Sequence, residues 1–73
     1  MNNTLLEKDI WEEAVALAIY YIDGGINDYY AARLIAEDLR GGYDKNGNPM
    51  TNKTCMREAW KVIREANRRL GWY

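Results

Sequence analysis

Two glycine pairs divide this 73-residue chain into three segments, each with apolar residues at helical spacing. Glycine adopts the left-handed conformation that ends a helix at little energetic cost, so Gly24-Gly25 and Gly41-Gly42 predict two helix ends. The pattern predicts helices over about 5–22, 28–40 and 52–70. We therefore expect a single all-α domain, residues 1–73, folded as a compact three-helix unit.

Polar residues at the start of each segment predict the helix caps. Thr4 and Glu7 have the spacing of a capping box, in which each side chain satisfies the other's backbone amide. Asn27 or Asp28 can cap the second helix, and Thr51 can cap the third. Together with a glycine stop at position 71, these residues predict well-defined boundaries for all three helices.

The connection between the second and third helices contains Asn46-Gly47. This pair favours a type I′ turn, which needs positive φ at both central residues, so we expect a short turn or a β-hairpin-like loop. Residues 44–48 resemble the first five positions of an EF-hand calcium loop. The pattern then departs from that family, because Pro49 and Cys55 occupy positions that need glycine and glutamate, and no metal site is expected.

The residue types for common catalytic chemistry are missing. The chain has no histidine and no serine, and its single cysteine, Cys55, falls on the apolar face of the third helix. General-base and nucleophilic catalysis therefore lack their usual groups, and neither a zinc site nor an internal disulfide can be built. We expect a non-enzymatic protein without cofactor, metal or small-molecule substrate.

Hydropathy and the N-terminal residues predict where in the cell the protein is located. No apolar run reaches 18 residues, and the first residues lack the basic stretch of a secretory signal. We therefore expect no membrane association, and a cytoplasmic protein with a reduced thiol.

The second half of the first helix, residues 14–22, carries no charge. A helix that is apolar all round is buried all round, so we expect it to be the central helix or to meet another chain. Tyr20-Tyr21 and Tyr29-Tyr30 flank the first turn, and in each pair one ring should face inward and one outward. The expected protein-interaction residues are Val15, Ile19, Tyr20, Tyr29, Tyr30 and Trp72.

These features predict a protein-interaction module that docks on a larger protein or on a second copy of itself as a homodimer. Tyrosine and tryptophan are favoured at binding hot spots, which supports the aromatic residues as contacts. Small size and high aromatic content are common among phage and mobile-element accessory proteins, so a regulator or inhibitor of that kind is the expected role.

An alternative function rests on charge. Residues 1–40 hold eight acids and three bases (3 − 8 = −5), whereas residues 52–73 hold six bases and two acids (6 − 2 = +4). The bases of the third helix include one stripe, the cationic ridge, formed by Arg57, Lys61, Arg64 and Arg68. Such a ridge predicts nucleic-acid binding.

The charges also allow three other interpretations. The ridge can dock on an acidic surface of another protein. The ridge can be a solvated face whose charges pair as Glu58–Lys61, Lys61–Glu65 and Glu65–Arg69. The acidic residues 1–40 can instead mimic nucleic acid for a basic partner.

A carboxylate is expected in the core of the second helix. Its apolar arc comprises Ala31, Leu34, Ile35 and Leu39, and Asp38 falls inside that arc. A buried carboxylate must be paired or hydrogen-bonded, and Arg57 and Arg64 are candidate partners. A structural role for Asp38 is favoured over that of an acid whose pKa is raised by burial.

Overall fold

The computed structural model describes residues 3–72 and contains three α-helices: α1 (Lys8–Asp23), α2 (Asp28–Leu39) and α3 (Asn52–Leu70). The predicted all-α, three-helix architecture is confirmed. α3 packs against both other helices, and the contact between α1 and α2 is smaller. The prediction that the first helix is central is therefore wrong. Within the described residues, none of the helices is both long and apolar enough to cross a membrane.

The start of α1 differs from the prediction. The N-cap residue is Glu7, and no side chain caps the helix there. The Thr4 hydroxyl donates to Oε1 of Glu58 at 2.6 Å and accepts the amide of Leu6 at 3.1 Å. The predicted capping box is wrong, because the Thr4 hydroxyl donates to a carboxylate of α3 and does not accept the Glu7 amide. Residues 3–7, the N-terminal segment, lie outside the helix as a result.

The other helix boundaries follow the local sequence. Gly25 (φ 98°) and Gly71 (φ 78°) adopt the left-handed conformation after α1 and α3. After each, the next residue's amide returns to a carbonyl in the last helical turn, as in a Schellman motif. Asn27 and Thr51 accept backbone amides as predicted caps of α2 and α3. These ends depend on residues close in sequence, which is why the pattern predicts them.

The loop between α2 and α3 is closed by one antiparallel bridge, Tyr43 with Pro49. Its tip is a β-turn in which the amide of Gly47 donates to the carbonyl of Asp44 at 2.9 Å. Gly47 has positive φ (84°) but Asn46 does not, so the expected type I′ geometry is wrong. The Asp44 carboxylate accepts the amide of Asn46 at 2.8 Å, a side-chain turn that holds the backbone at negative φ.

The buried face of α2 is rotated from the one expected. Its buried residues are Ala31, Ala32, Ile35, Ala36 and Leu39. Leu34 and Asp38 are exposed, so the prediction of Asp38 as a buried polar residue is wrong. Ala32 and Ala36 belong to the buried face of α2, and Asp38 lies on the other side of the helix, so its carboxylate faces water.

The buried carboxylate belongs to Glu58 on α3, which is 0% exposed. Its Oε1 accepts the Thr4 hydroxyl at 2.6 Å and the Leu5 amide at 2.9 Å, and its Oε2 accepts Nζ of Lys61 at 2.9 Å. Burial raises the pKa of Glu58, but the hydrogen bonds from Thr4, Lys61 and Leu5 outweigh it and hold the pKa below its usual value. An ionised Glu58 therefore fastens the N-terminal segment to α3.

Candidate interaction surface

An open groove lies where the turn between α1 and α2 meets α3. Its apolar and aromatic lining, the aromatic groove, consists of Ile22, Ile26, Tyr29, Trp60 and Trp72. Tyr29, Trp60 and Trp72 are 53%, 41% and 58% exposed, whereas Ile22 is buried. Three large rings thus remain accessible around one shallow, largely apolar surface.

The start of α2 positions Tyr29. The side chain of Asn27 caps the helix by accepting the amide of Tyr30 at 3.0 Å. Nδ2 of the buried Asn67 donates to Oδ2 of Asp28 at 3.1 Å, which braces the first turn of α2 against α3. The backbone that carries Tyr29 is held at two points, so this side of the groove is ordered before any partner binds.

The end of α3 positions the other two rings. Gly71 ends the helix in the left-handed conformation, and the amide of Trp72 donates to the carbonyl of Asn67 at 3.0 Å. Trp60 lies within α3 at the border between its buried and exposed faces. The sequence places Trp60 at the edge of the apolar arc but does not assign it to a contact surface. That edge position is the signal that could have identified it, because a boundary tryptophan keeps part of its ring exposed.

The predicted contact residues of α1 divide into three groups. Val15 is fully buried in the core, so its prediction as a contact residue is wrong. Ile19 is half-buried and packs against the core. Tyr20 is 75% exposed, whereas Tyr21 is half-buried, which confirms the predicted division between inward and outward rings for this pair.

The second tyrosine pair does not divide in this way. Tyr29 and Tyr30 are both exposed, because both precede Ala31, the first buried residue of α2. Their rings meet edge to face with centroids 5.6 Å apart, and Cζ of Arg33 lies 5.9 Å from the Tyr29 centroid. Tyr30 and Leu34 line a neighbouring shallow groove, which shares Ile26 with the aromatic groove.

The cationic ridge is partly neutralised along its length. Nζ of Lys61 donates to Glu58 at 2.9 Å and to the carbonyl of Asn3 at 2.8 Å. The predicted Glu58–Lys61 pair is present, whereas the predicted Lys61–Glu65 pair is not, because the ammonium turns towards the N-terminal segment. Lys61 therefore helps to hold the N-terminal segment on α3, and its charge is less available to a ligand.

Arg68 is also engaged. Glu65 accepts hydrogen bonds from Arg68 and from Arg69, which lower the pKa of Glu65 to about 2. The predicted Glu65–Arg69 pair is therefore present. Nη1 of Arg69 also lies 3.1 Å from Oε1 of Glu12, so this network links α3 to α1. The charge of Arg68 is balanced on its own helix.

Two ridge residues remain unbalanced. Arg57 and Arg64 are exposed and form no ion pair within residues 3–72. They lie three residues before and four residues after Trp60, so all three share one stretch of the α3 surface. The ridge is thus reduced to two free guanidinium groups, one on each side of an exposed indole.

Comparison of the chain with protein-family models, curated proteins and solved structures finds no match. The Cys55 thiol is buried, which raises its pKa. In the part of the chain that the structure describes, no three His, Cys, Asp or Glu side chains come together as a metal site.

Proposed function

We propose that the chain is a non-enzymatic protein-interaction module that docks on a larger protein through the aromatic groove. The observation that carries the proposal is the exposure of Tyr29, Trp60 and Trp72 around one shallow, largely apolar surface. Rigid aromatic side chains supply large contact areas at low entropic cost. Acting in the cytoplasm as a regulator or inhibitor, such a module would fill the kind of role that small phage and mobile-element proteins have.

The energy available in the groove is useful but limited. An aromatic side chain buries roughly 150–250 Å², so three half-exposed rings offer roughly 300 Å². At about 25 cal/mol per Å², covering all of that surface would contribute at most about 7.5 kcal/mol. Association itself costs on the order of 4–15 kcal/mol. A partner must therefore add polar contacts at the groove's rim to bind stably.

Site-specific photo-crosslinking tests the proposal directly. A photoreactive amino acid is placed at Tyr29, at Tyr43 or at Tyr20 in the full chain, and adducts are collected in the source cell. Tyr43 is a matched control, because it is exposed but lies in the loop between α2 and α3. We expect one reproducible protein adduct at position 29 and none at position 43.

Other crosslinking outcomes separate the competing surfaces. An adduct confined to position 20 would move the interface to the outer face of α1. An adduct of twice the chain's mass at position 29 would assign a homodimer in place of a larger partner. Equal labelling at positions 29 and 43, or none at either, would refute the groove as the docking site.

A second candidate function is nucleic-acid binding along the cationic ridge. The free guanidinium groups of Arg57 and Arg64 favour it, while the engagement of Lys61 and Arg68 weakens it. It predicts that nucleic acid is retained in a gel shift at low salt and that Arg64→Ala reduces the salt dependence. No retention at low salt would remove this candidate.

A further inference from the structure

We infer that the occupant of the aromatic groove is a short acidic segment of the partner, with one apolar side chain in the groove and a carboxylate on each side. The inference rests on the proposed function and names the chemistry of the partner. Three observations carry it: the size of the groove, the free cations beside Trp60, and the state of the nearby carboxylates.

The size of the groove favours a short segment over a second folded copy. The exposed surface of the three rings is at most roughly 300 Å², and only the part of it that faces the groove is available to one occupant. A stable interface between two folded proteins buries roughly 800 Å² on each partner. A few consecutive residues with one inserted side chain match the smaller area, whereas a flat homodimer contact would need much more.

The charges beside the groove favour carboxylates in that segment. Arg57 and Arg64 flank Trp60 on α3, and the Arg33 guanidinium lies over the ring of Tyr29. On the helix surface, residues three and four apart have Cβ atoms about 5–6 Å from each other. A chain that inserts a side chain beside Trp60 therefore passes within reach of Arg57 and Arg64.

The carboxylate that lines the groove is already used within the chain. Asp28 lines the groove, but its Oδ2 accepts a hydrogen bond from Asn67 and it lies in the first turn of α2, where the helix dipole favours negative charge. Glu37, farther along α2, pairs with Arg40. Asp23, beside Ile22 at the end of α1, is exposed and forms no ion pair within residues 3–72. Two free guanidinium groups beside Trp60 outnumber this one free carboxylate, so the balance of free charge near the groove is positive and complements an acidic partner.

Spacing defines a probe peptide. An extended chain advances about 3.4 Å per residue, so side chains two positions from an anchor lie about 7 Å away on the same side. The probe is a fluorescein-labelled ten-residue peptide with a central tryptophan, glutamates two positions to either side, and glycine and serine elsewhere. A matched peptide carries lysine in place of each glutamate, and a twelve-nucleotide oligothymidylate serves as a second anionic probe.

The experiment measures binding of the three probes to the full chain by fluorescence anisotropy. We expect the acidic peptide to bind at least tenfold more tightly than the lysine peptide, and more weakly as salt rises. Trp60→Ala should weaken acidic-peptide binding by at least tenfold. The matched ring deletion Tyr43→Ala should leave it within about twofold, because Tyr43 lies outside the groove.

Charge reversal gives a second, independent test. The double variant Arg57→Glu/Arg64→Glu should reverse the preference, binding the lysine peptide more tightly than the acidic one. The control Lys8→Glu/Lys45→Glu changes net charge by the same amount at exposed positions outside the groove and should keep the wild-type preference. All four side chains are exposed, so both variants should keep the wild-type circular dichroism spectrum.

Three results would overturn the inference. These are binding of neither peptide at millimolar concentration, equal binding of both, or tighter binding of oligothymidylate than of the acidic peptide. The last result would assign the groove to single-stranded nucleic acid. If the acidic peptide fails while position 29 still crosslinks to a protein, only the partner chemistry is wrong. If position 29 also gives no adduct, the proposed function fails with it.

Discussion

Replacing Glu58 with glutamine tests the account of the N-terminal segment. In the native chain the carboxylate is fully buried and accepts three hydrogen bonds, two on Oε1 and one on Oε2. Glutamine has nearly the same shape, and its carbonyl oxygen can keep the Thr4 and Leu5 hydrogen bonds. Its amide group then faces Nζ of Lys61, so two donors meet where a donor met a carboxylate.

The magnitude follows from the lost Lys61 contact. A hydrogen bond to a charged group contributes about 1.5–3 kcal/mol to stability. The Lys61 side chain is 32% exposed, so its ammonium can turn towards water, which favours the lower part of that range. We expect Glu58→Gln to lower the free energy of unfolding by about 2 kcal/mol. Glu58→Ala removes all three hydrogen bonds and should cost about 4 kcal/mol.

Urea and thermal unfolding followed by circular dichroism measure the loss. In a chain of this size, about 2 kcal/mol corresponds to a fall in Tm of roughly 8–16 °C. The matched control is Glu37→Gln on α2, whose single ion pair with Arg40 is solvated and should cost less than about 1 kcal/mol. Amide exchange at Leu5 should also accelerate in Glu58→Ala. A loss for Glu58→Gln no larger than that for Glu37→Gln would refute the role of the Glu58 carboxylate.

Three further predictions concern other parts of the fold. Gly25→Ala should cost about 1–2 kcal/mol in urea unfolding, because the position has φ 98°; space is not the cause, since an added Cβ would meet nothing within 4 Å. Ile35→Ala should cost about 2–5 kcal/mol whereas Asp38→Asn stays within about 0.5 kcal/mol; equal losses would contradict the observed rotation of α2. The pKa of Glu65 is about 2 in the folded chain and about 4.3 unfolded, so its contribution to stability is present above about pH 4.3 and is lost as pH falls towards 2; acid titration of stability, compared with Glu65→Gln, would show no difference if the ion-pair network were absent.

Much of the architecture follows from residues close in sequence. The end of α1 at Gly25 and of α3 at Gly71 depends on one backbone conformation that glycine adopts easily, and the cap at Asn27 depends on an amide three residues away. Such interactions are complete within one turn of helix. The sequence therefore predicted three helices and most of their boundaries.

Part of the candidate surface was also predicted. Tyr29 and Trp72 were named from composition and position, and both line the groove. Trp60 was not named, because its exposure depends on how α2 and the first turn pack beside α3. The sequence does place Trp60 between Arg57 and Arg64. It does not show that Lys61 and Arg68 are neutralised by ion pairs while Arg57 and Arg64 remain free.

The sequence by itself predicted that aromatic residues surround the first turn. The groove that they form depends on how the helices pack in the tertiary structure. The same division applies to the buried charge. Periodicity placed Asp38 in the core and Glu58 near the surface, and the structure reverses both. Helical periodicity fixes only the angles between side chains on one helix. Which angle faces the core depends on the neighbouring helices, and at Glu58 it depends on Thr4, 54 residues away.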